Sequence, residues 1–253
     1  MKFFMISDLH LGKGNDVDKA KNQLIDLCAL IRTQSYPKEI LLFIIMGDVI
    51  NASDIDAYED AKECLDCIKE ELSNYEVRFE FIPGNHDLPS GDIGPFNNFV
   101  ANYSPSCSFA TNAAYSVQYE GINFIFADTN LFRDHRMPGM IDLNEIYKEV
   151  KDGTNLLFTH HAFEQNYGGD HDTIQNPKVV LNELKSMGVS FVFHGHTHRS
   201  DVTETQNGIV EIGCGTLLKD ISDMDGIQNQ FSVGYTQEGE ISRVDRIVVA
   251  KDG

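Results

Sequence analysis

The sequence ILLFIIMGD occupies residues 40–48 and decides the fold more than any other stretch of the chain. Its seven apolar residues in a row, Ile40–Met46, are typical of a β-strand that is buried on both faces. Gly47 ends this strand, and Asp48 follows at its carboxyl end. A carboxylate in such a place costs free energy unless a cation or hydrogen bonds compensate its charge. The stretch therefore predicts a central strand with a polar site at its end.

Four other strand-like runs end in short polar blocks of the same kind. The predicted strands are Lys2–Ile6, Val77–Ile82, Asn155–Phe158 and Val189–Phe193. The blocks that follow them are Asp8–His10, Gly84–Asp87, His160–His161 and Gly195–His198. Seven of the nine histidines lie in or beside a block, namely His10, His86, His160, His161, His194, His196 and His198. Because the carboxyl ends of parallel strands meet at one sheet edge, the blocks predict a divalent-metal site with carboxylate, amide and imidazole ligands.

Between the early strands the apolar spacing changes from that of a strand to that of a helix. Apolar residues at helical spacing predict one helix around Leu24–Ile31 and a second over Ala57–Leu72. Strands that alternate with helices favour a parallel sheet with right-handed crossover connections. The first half of the chain is therefore expected to form repeated β-α-β units.

The second half of the chain adds a hairpin, two helices and a β-rich tail. The predicted elements are a hairpin of Tyr115–Tyr119 and Ile122–Ala127, a helix over Leu143–Val150, a helix that starts at Pro177 with Asn176 as its N-cap, and strands at Ile209–Ile212, Phe231–Tyr235 and Ile241–Val249. Helices early and late, with strands between them, predict two packed sheets. We predict an α/β protein: a four-layer α/β/β/α sandwich of two mixed sheets flanked by helices, in a single domain over residues 1–253.

Composition restricts the partners and the compartment. The formal net charge is −19, and such a surface repels long duplex nucleic acid, which binds largely through Lys and Arg. The longest apolar run is far shorter than the roughly 20 residues that a membrane span needs. Five cysteines, an odd number without framework spacing, and a strand at the N-terminus in place of a signal peptide favour a cytoplasmic protein. Oligomeric state cannot be predicted from these features.

Two of the blocks repeat one spacing. One residue separates Asp8 from His10, and one separates His196 from His198. In an extended strand, residues two apart point to the same side, so both members of each pair can face a metal cluster at the sheet edge. Either pair alone could be a loop cap with a packed histidine. All five blocks in one chain make that interpretation improbable.

The ordered blocks Asp8-x-His10, Gly47-Asp48, Gly84-Asn85-His86-Asp87, His160 and Gly195-His196-x-His198 resemble the motifs of the calcineurin-like metallophosphoesterase superfamily. The resemblance implies the four-layer sandwich and a small, uncapped member of the phosphodiesterase type. It also implies two divalent metal ions, one held by Asp8, His10, Asp48 and His198, the other by Asp48, Asn85, His160 and His196. A hydroxide between the ions would attack phosphorus. Oxygen and nitrogen ligands without thiolate suit Mn²⁺, Fe²⁺/Fe³⁺ or Zn²⁺.

The resemblance also suggests roles for residues beside the ligands. His86 is expected near the phosphate, where it would stabilise developing charge or protonate the leaving oxygen. Asp87 would either hold the other ring nitrogen of His86 or cap backbone N–H groups in the turn. Asn85, His86 and His161 are the candidate substrate contacts, and His194 is expected to support the ligand loop. The loop residues 163–175, with Tyr167 and His171, could form a pocket wall.

The sequence thus predicts a phosphoric ester hydrolase that acts on a small phosphodiester or phosphomonoester, with the diester favoured. One alternative is a nuclease that cleaves short or single-stranded nucleic acid. Another, from a different class, is a catalytically silent metal-binding interaction scaffold. The scaffold is disfavoured because every predicted ligand position is filled by a suitable residue type.

Overall fold

A computed structural model describes residues 1–12, 17–35, 39–51, 54–105, 107–109, 111–165, 169, 171–217 and 230–248. The strands are β1 Lys2–Ile6, β2 Ile40–Ile45, β3 Glu76–Phe81, β4 Ala114–Tyr119, β5 Ile122–Ala127, β6 Asn155–Thr159, β7 Val189–His194, β8 Val202–Glu204, β9 Val210–Gly213, β10 Gln230–Gln237 and β11 Glu240–Val248. The helices are α1 Val17–Gln34, α2 Ala57–Glu71, α3 Gly94–Val100, α4 Leu143–Glu149 and α5 Pro177–Ser186. Tyr167 and Val249, which the predictions included, lie outside the described residues.

The described strands form two mixed sheets. The first has the order β11-β10-β1-β2-β3, in which β1, β2 and β3 run parallel and β10 runs antiparallel to β1. The second has the order β4-β5-β6-β7-β9-β8, with β5, β6, β7 and β9 parallel and the strands at both edges antiparallel. The predicted β-α-β units and the hairpin of β4 and β5 are therefore present. The short strand β8 was not predicted, because three residues carry no readable periodicity.

The sheets pack face to face through aromatic side chains. The ring of Phe3 meets those of Phe124, Phe158 and Phe193 edge to face, at centroid distances of 5.4, 6.2 and 5.9 Å. Its neighbour Phe4 points to the opposite face of the first sheet, where it packs near α1. This alternation follows from the two-residue period of a strand and gives the first sheet two buried faces.

The outer faces of both sheets are covered by helices. Helices α1 and α2 pack together over the first sheet, and their apolar residues belong to its core. A separate apolar cluster joins α4 and α5 to β5, β6 and β7 of the second sheet. These contacts confirm the predicted four-layer sandwich. Among the described residues, no helix has the length and apolar character that crossing a membrane requires.

Some predicted details differ at the start of α5. Asn176 occupies the N-cap position before Pro177, as predicted, but its backbone is left-handed with φ of 52°. Its side chain makes no capping hydrogen bond. Proline at the first helical position favours the start of the helix there, because its fixed φ is already helical and the N–H that it lacks would have no partner within the helix.

A buried carboxylate braces the two sheets at the end of β3. Glu80 accepts hydrogen bonds from Ser104 Oγ at 2.9 Å, from Tyr115 Oη at 3.1 Å and from Tyr119 Oη at 3.0 Å. Both tyrosines belong to β4, so the hydrogen bonds cross from one sheet to the other. Burial raises the pKa of Glu80 above its usual value, although the three hydroxyl donors oppose this.

We expect the Glu80→Gln variant to change the pH dependence of stability. A carboxyl group whose pKa is raised by folding favours the folded state in its protonated form. Its contribution is therefore lost as pH rises from the unfolded value of about 4.5 towards the higher folded value. Urea unfolding at several pH values from 5 to 8 should show that wild type loses stability relative to the variant as pH rises. Exposed Glu240→Gln is the control, and parallel curves for Glu80→Gln and wild type would contradict the prediction.

Candidate metal centre

The five polar blocks meet at one end of the sandwich. Within the first sheet, the amide of His10 donates to the carbonyl of Asp48 at 2.8 Å. Within the second, the amide of Gly195 donates to the carbonyl of His160 at 3.1 Å. The sheets are joined where the amide of His196 donates to Asp8 Oδ2 at 3.1 Å. The structure thus brings together all seven predicted ligands, Asp8, His10, Asp48, Asn85, His160, His196 and His198.

One cluster forms around Asp8. The ligand atoms of Asp8, His10 and His198 all lie within 4.8 Å of one another. Asp8 Oδ1 is 3.2 Å from His198 Nε2 and 3.8 Å from His10 Nε2. The two imidazole nitrogens are 3.3 Å apart. One carboxylate and two imidazoles around a common point are a suitable ligand set for a divalent ion.

A second cluster forms on the other side of Asp48. The ligand atoms of Asp48, His160 and His196 also lie within 4.8 Å of one another. Asn85 Oδ1 approaches this group, since it lies 3.0 Å from His160 Nε2. The carboxylate of Asp48 faces both clusters, with Oδ1 3.4 Å from His160 Nε2 and Oδ2 3.7 Å from His10 Nε2. Asp48 is therefore the one predicted ligand that can bridge two ions.

The side chains fit the two ions that the resemblance implied. Asp8 is completely buried, and its Oδ1 finds no hydrogen-bond donor among the described residues. A buried carboxylate oxygen without a donor is costly, and a cation coordinated at that oxygen would remove the cost. Two divalent ions held here would offset the negative charge of a phosphate and lower the pKa of coordinated water.

The pKa values of two predicted ligands favour coordination by imidazole, whereas His160 must release a proton before it can bind an ion. Burial lowers the pKa of His10 to about 4 and that of His196 to about 3, so both rings are neutral at pH 7. Burial also acts to lower the pKa of His160, but the adjacent Asp48 carboxylate outweighs it and raises the pKa to about 9. The Nδ1 of His160 lies 2.8 Å from the carbonyl oxygen of Met46, which orients the ring towards the cluster.

The ligand loops have an unusual backbone. Five predicted ligands have positive φ: Asp8 at 56°, His10 at 46°, Asp48 at 52°, His196 at 62° and His198 at 57°. The prediction that each pair projects like alternate residues of an extended strand is therefore wrong, because both members of each pair are left-handed. Non-glycine residues in this region carry strain, which the surrounding structure must hold.

Glycines allow the ligand loops to approach one another closely. Gly47 has φ of 91°, a conformation that favours glycine, immediately before Asp48. A β-carbon on Gly84 would overlap the amide and the carboxylate of Asp48. The lack of a side chain at these two glycines therefore allows the loops after β2 and β3 to pack closely around the carboxylate of Asp48.

His86 lies at the mouth of the centre. Its amide donates to Asp48 Oδ1 at 2.8 Å, and its ring packs edge to face against that of His10 at a centroid distance of 4.8 Å. The ring is partly exposed and lines the cleft above the clusters. It can therefore meet a bound substrate. Its ring nitrogen also lies within 4.8 Å of ligand atoms of His10 and Asp48, so an ion is within its reach as well.

Asp87 takes the second of the two roles that the sequence left open. Its Oδ1 accepts from the amides of Val49 and Ile50 at 2.9 and 3.2 Å. Its Oδ2 accepts from the amide of Gly84 at 2.8 Å. Burial and the nearby Asp48 raise the pKa of Asp87 to about 7. These hydrogen bonds make Asp87 a positioning residue for the loops around Asp48 rather than the group that holds the ring of His86 for catalysis.

His161 differs from its predicted role as a substrate contact. Its side chain is buried, with 1% of its surface exposed, and its Nδ1 lies 2.8 Å from Thr129 Oγ1. The ring packs against that of His196 at a centroid distance of 4.6 Å. This burial argues against direct contact with substrate. His161 therefore helps to hold the ring of the predicted ligand His196 in place.

Several residues around the centre were missed or left undecided by the sequence. Ser7 Oγ donates to Asp8 Oδ2. Glu211, buried on β9, accepts from the amides of Phe163 and Glu164 at 2.6 and 3.0 Å and lies 3.6 Å from His194 Nε2. In the sequence, the position of Glu211 between two apolar residues of a predicted strand could have indicated a buried carboxylate. His194 supports the ligand loop through its Nδ1, 2.9 Å from the carbonyl oxygen of Gly195.

The clusters open into a cleft of about 310 Å³. Around the predicted ligands, its lining consists of His86, His135, Arg136, His171 and Asp172. His171 and Asp172 belong to the loop of residues 163–175 that was expected to form a pocket wall. A volume of this size admits a small phosphoester.

The sequence profile of the calcineurin-like phosphoesterase family matches residues 1–200. The chain belongs to this family, whose members are metal-dependent hydrolases of phosphoesters. The strands after residue 200 complete both sheets, since β10 pairs with β1 and β9 with β7. Family membership and the clusters together support divalent metal ions as cofactors.

Individual relatives are distant. The chain is 23% identical over 219 residues to a probable cyclic nucleotide phosphodiesterase of Xenorhabdus bovienii, covering 82% of each chain. Its fold is similar to that of a dimetal phosphatase from Danio rerio, with a TM-score of 0.67, 15% identity and 99% of each chain covered. It is also similar to GAP50, described as the anchor in the inner membrane complex of Plasmodium, with a TM-score of 0.58, 12% identity and coverage of 99% and 89%.

Proposed function

We propose that this protein is a dinuclear-metal phosphodiesterase that acts on small substrates. Asp8, His10, Asp48 and His198 would hold one ion, and Asp48, Asn85, His160 and His196 would hold the other. The observation that carries the proposal is the position of Asp48, whose two oxygens face the two clusters. A carboxylate shared in this way is typical of sites with two ions about 3.5–4 Å apart, which clamp the phosphoryl group in phosphoryl transfer.

Three observations support a small diester over other phosphoesters. The curated relative is described as a probable cyclic nucleotide phosphodiesterase. The cleft above the clusters has a volume of about 310 Å³, enough for a small ester. The net charge of −19 opposes binding of long nucleic acid.

Buried free thiols, as at Cys28 and Cys64, are compatible with a cytoplasmic location.

Two alternatives remain for experiment. A nuclease that cleaves short single strands would lose activity steeply as salt rises, because its affinity would come from phosphate contacts. An interaction scaffold would hold metal without turnover. The similarity to GAP50 places this fold in a protein described as an anchor, but at 12% identity it concerns the fold alone.

The test is turnover of two chromogenic substrates by the Mn²⁺-loaded protein. Bis-p-nitrophenyl phosphate reports diester cleavage, and p-nitrophenyl phosphate reports monoester cleavage. We expect the diester to be cleaved with the higher kcat/KM, and the Asp48→Asn variant serves as the inactive control. Faster cleavage of the monoester would make the protein a phosphatase. Silence on both substrates with two ions bound would favour the scaffold.

A further inference from the structure

A second cleft, of about 430 Å³, opens beside the metal centre. We call it the side cleft; it lies between residues 88–91 and residues 133–136, with Asn85 at its inner end. Asn85, His135 and Arg136 also line the cleft above the metal clusters. The two clefts therefore adjoin at these residues, which places the side cleft within reach of a ligand whose phosphate lies at the clusters.

One wall of the side cleft is braced by a buried ion pair. Arg133 Nη1 donates to Asp128 Oδ2 at 2.6 Å, and Asp128 is completely buried. The other oxygen, Oδ1, accepts from the amide of Asn130 at 2.7 Å. Asn130 Nδ2 in turn donates to the carbonyl of Pro83, just before the ligand loop that contains Asn85. A buried carboxylate is costly, and here its hydrogen bonds hold a surface loop in one shape against the metal site.

The two walls also meet at strained backbone. Ser90 and Arg133 both have positive φ, of 55° and 56°, on opposite sides of the side cleft. Gly91 lies between them, where a β-carbon would be 2.7 Å from the carbonyl oxygen of Arg133. Strained residues held by their surroundings are common at ligand-binding sites, because the strain preserves a preformed shape. The side cleft is therefore a built feature of the fold.

The junction of the two clefts carries the guanidinium of Arg136 and the imidazole of His135. Arg136 is 76% exposed and pairs with Asp134 through two hydrogen bonds of 3.0 Å. An exposed ion pair of this kind is weak, so the guanidinium can exchange its partner for a phosphate oxygen. The ring of His135 lies beside it, 6.5 Å from the ring of His86. In a chain with a net charge of −19, the guanidinium of Arg136 favours an anion at the junction.

We infer that the side cleft binds the organic group esterified to the reacting phosphate, and that its size selects a group as large as a nucleoside. The inference rests on the proposed function, because it assigns the substrate phosphate to the metal clusters. Pockets of about 300–1,000 Å³ hold ligands of nucleotide size, whereas a methyl ester would leave the side cleft filled only by water. Binding of the larger group should therefore lower KM or raise kcat/KM.

Two diesters with the same leaving group test this inference. They are the p-nitrophenyl ester of thymidine 5′-phosphate and methyl p-nitrophenyl phosphate, which differ only in the group that is expected to enter the side cleft. We expect wild type to prefer the nucleoside ester by about tenfold or more in kcat/KM. Ser90→Trp, which places an indole in the side cleft, should reduce this preference to near one. Arg136→Ala should raise KM for the nucleoside ester.

Arg243→Ala is the matched control, because Arg243 is also exposed and paired with an aspartate two residues away, on β11. It should leave the preference unchanged. Two results would contradict the inference that the side cleft binds the organic group, and would leave the proposed function intact. One is that wild type cleaves both esters without preference, and the other is that Ser90→Trp keeps the preference.

Calorimetric binding of thymidine 5′-monophosphate and inorganic phosphate to the Mn²⁺-loaded protein provides a readout without turnover. We expect the nucleotide to bind about tenfold more tightly than phosphate, and Ser90→Trp to remove that difference. If neither ester is cleaved but the nucleotide still binds more tightly than phosphate, the binding role of the side cleft is supported and the proposed function fails. Equal affinity for the nucleotide and for phosphate would contradict the inference that the side cleft binds a nucleoside.

Discussion

Replacement of Asp48 by asparagine is expected to lower kcat for bis-p-nitrophenyl phosphate by about 10³-fold or more. Asp48 is buried, and its oxygens face His10 on one side and His160 on the other. An amide keeps the shape of the side chain but loses the negative charge and one of the two acceptor oxygens. Both ions would therefore be held more weakly. If Asp48 bridges the two ions, its substitution should reduce the binding of both.

The measurement for Asp48→Asn pairs steady-state kinetics with metal analysis after dialysis. We expect wild type to retain two ions per chain and the variant to retain fewer. Asp26→Asn is the matched control, because it makes the same change on the exposed face of α1, far from the ligand loops in sequence. Near-normal activity of Asp48→Asn would show that the clusters are not the catalytic centre.

Removal of the His86 ring has the second-largest expected effect. We expect His86→Ala to lower kcat by about 10²–10⁴-fold while both ions stay bound. The ring borders the cleft beside His10, where it can stabilise charge on a phosphate or protonate a leaving oxygen. Its backbone amide, which donates to Asp48, is unaffected by the substitution. The loss should therefore concern the chemical step rather than the assembly of the centre.

Two readouts separate this role from a structural one. Added imidazole should restore part of the activity of His86→Ala, since the missing group is a proton donor that can diffuse into the cleft. Metal content should remain at the wild-type value. Loss of one ion would instead make His86 a ligand, a possibility raised by its proximity to His10 and Asp48.

The sequence by itself determined the order of the main elements and the edge at which the chemistry lies. Apolar runs such as Ile40–Met46 are long and unbroken, so strand burial can be read from them without a structure. The polar blocks follow those runs directly, and parallel strands bring their ends together whatever the loops do. Local pattern and order therefore identified the polar blocks that supply the clusters, whereas the ligand set of each ion came from the resemblance to the family.

Only the tertiary structure decided how those residues are held and what surrounds them. The left-handed backbone at Asp8 and Asp48 depends on hydrogen bonds between loops that are far apart in the chain. The capping role of Asp87 and the burial of His161 depend on which neighbours fill the space around each side chain.

One wall of the side cleft is held by the ion pair of the partly exposed Arg133 with the buried Asp128, two residues that become partners only in the folded chain. Local sequence pattern carries periodicity and residue type, which specify elements. Loop shape and side-chain contacts arise from packing between elements that are distant in sequence, and they are defined only when the chain has folded.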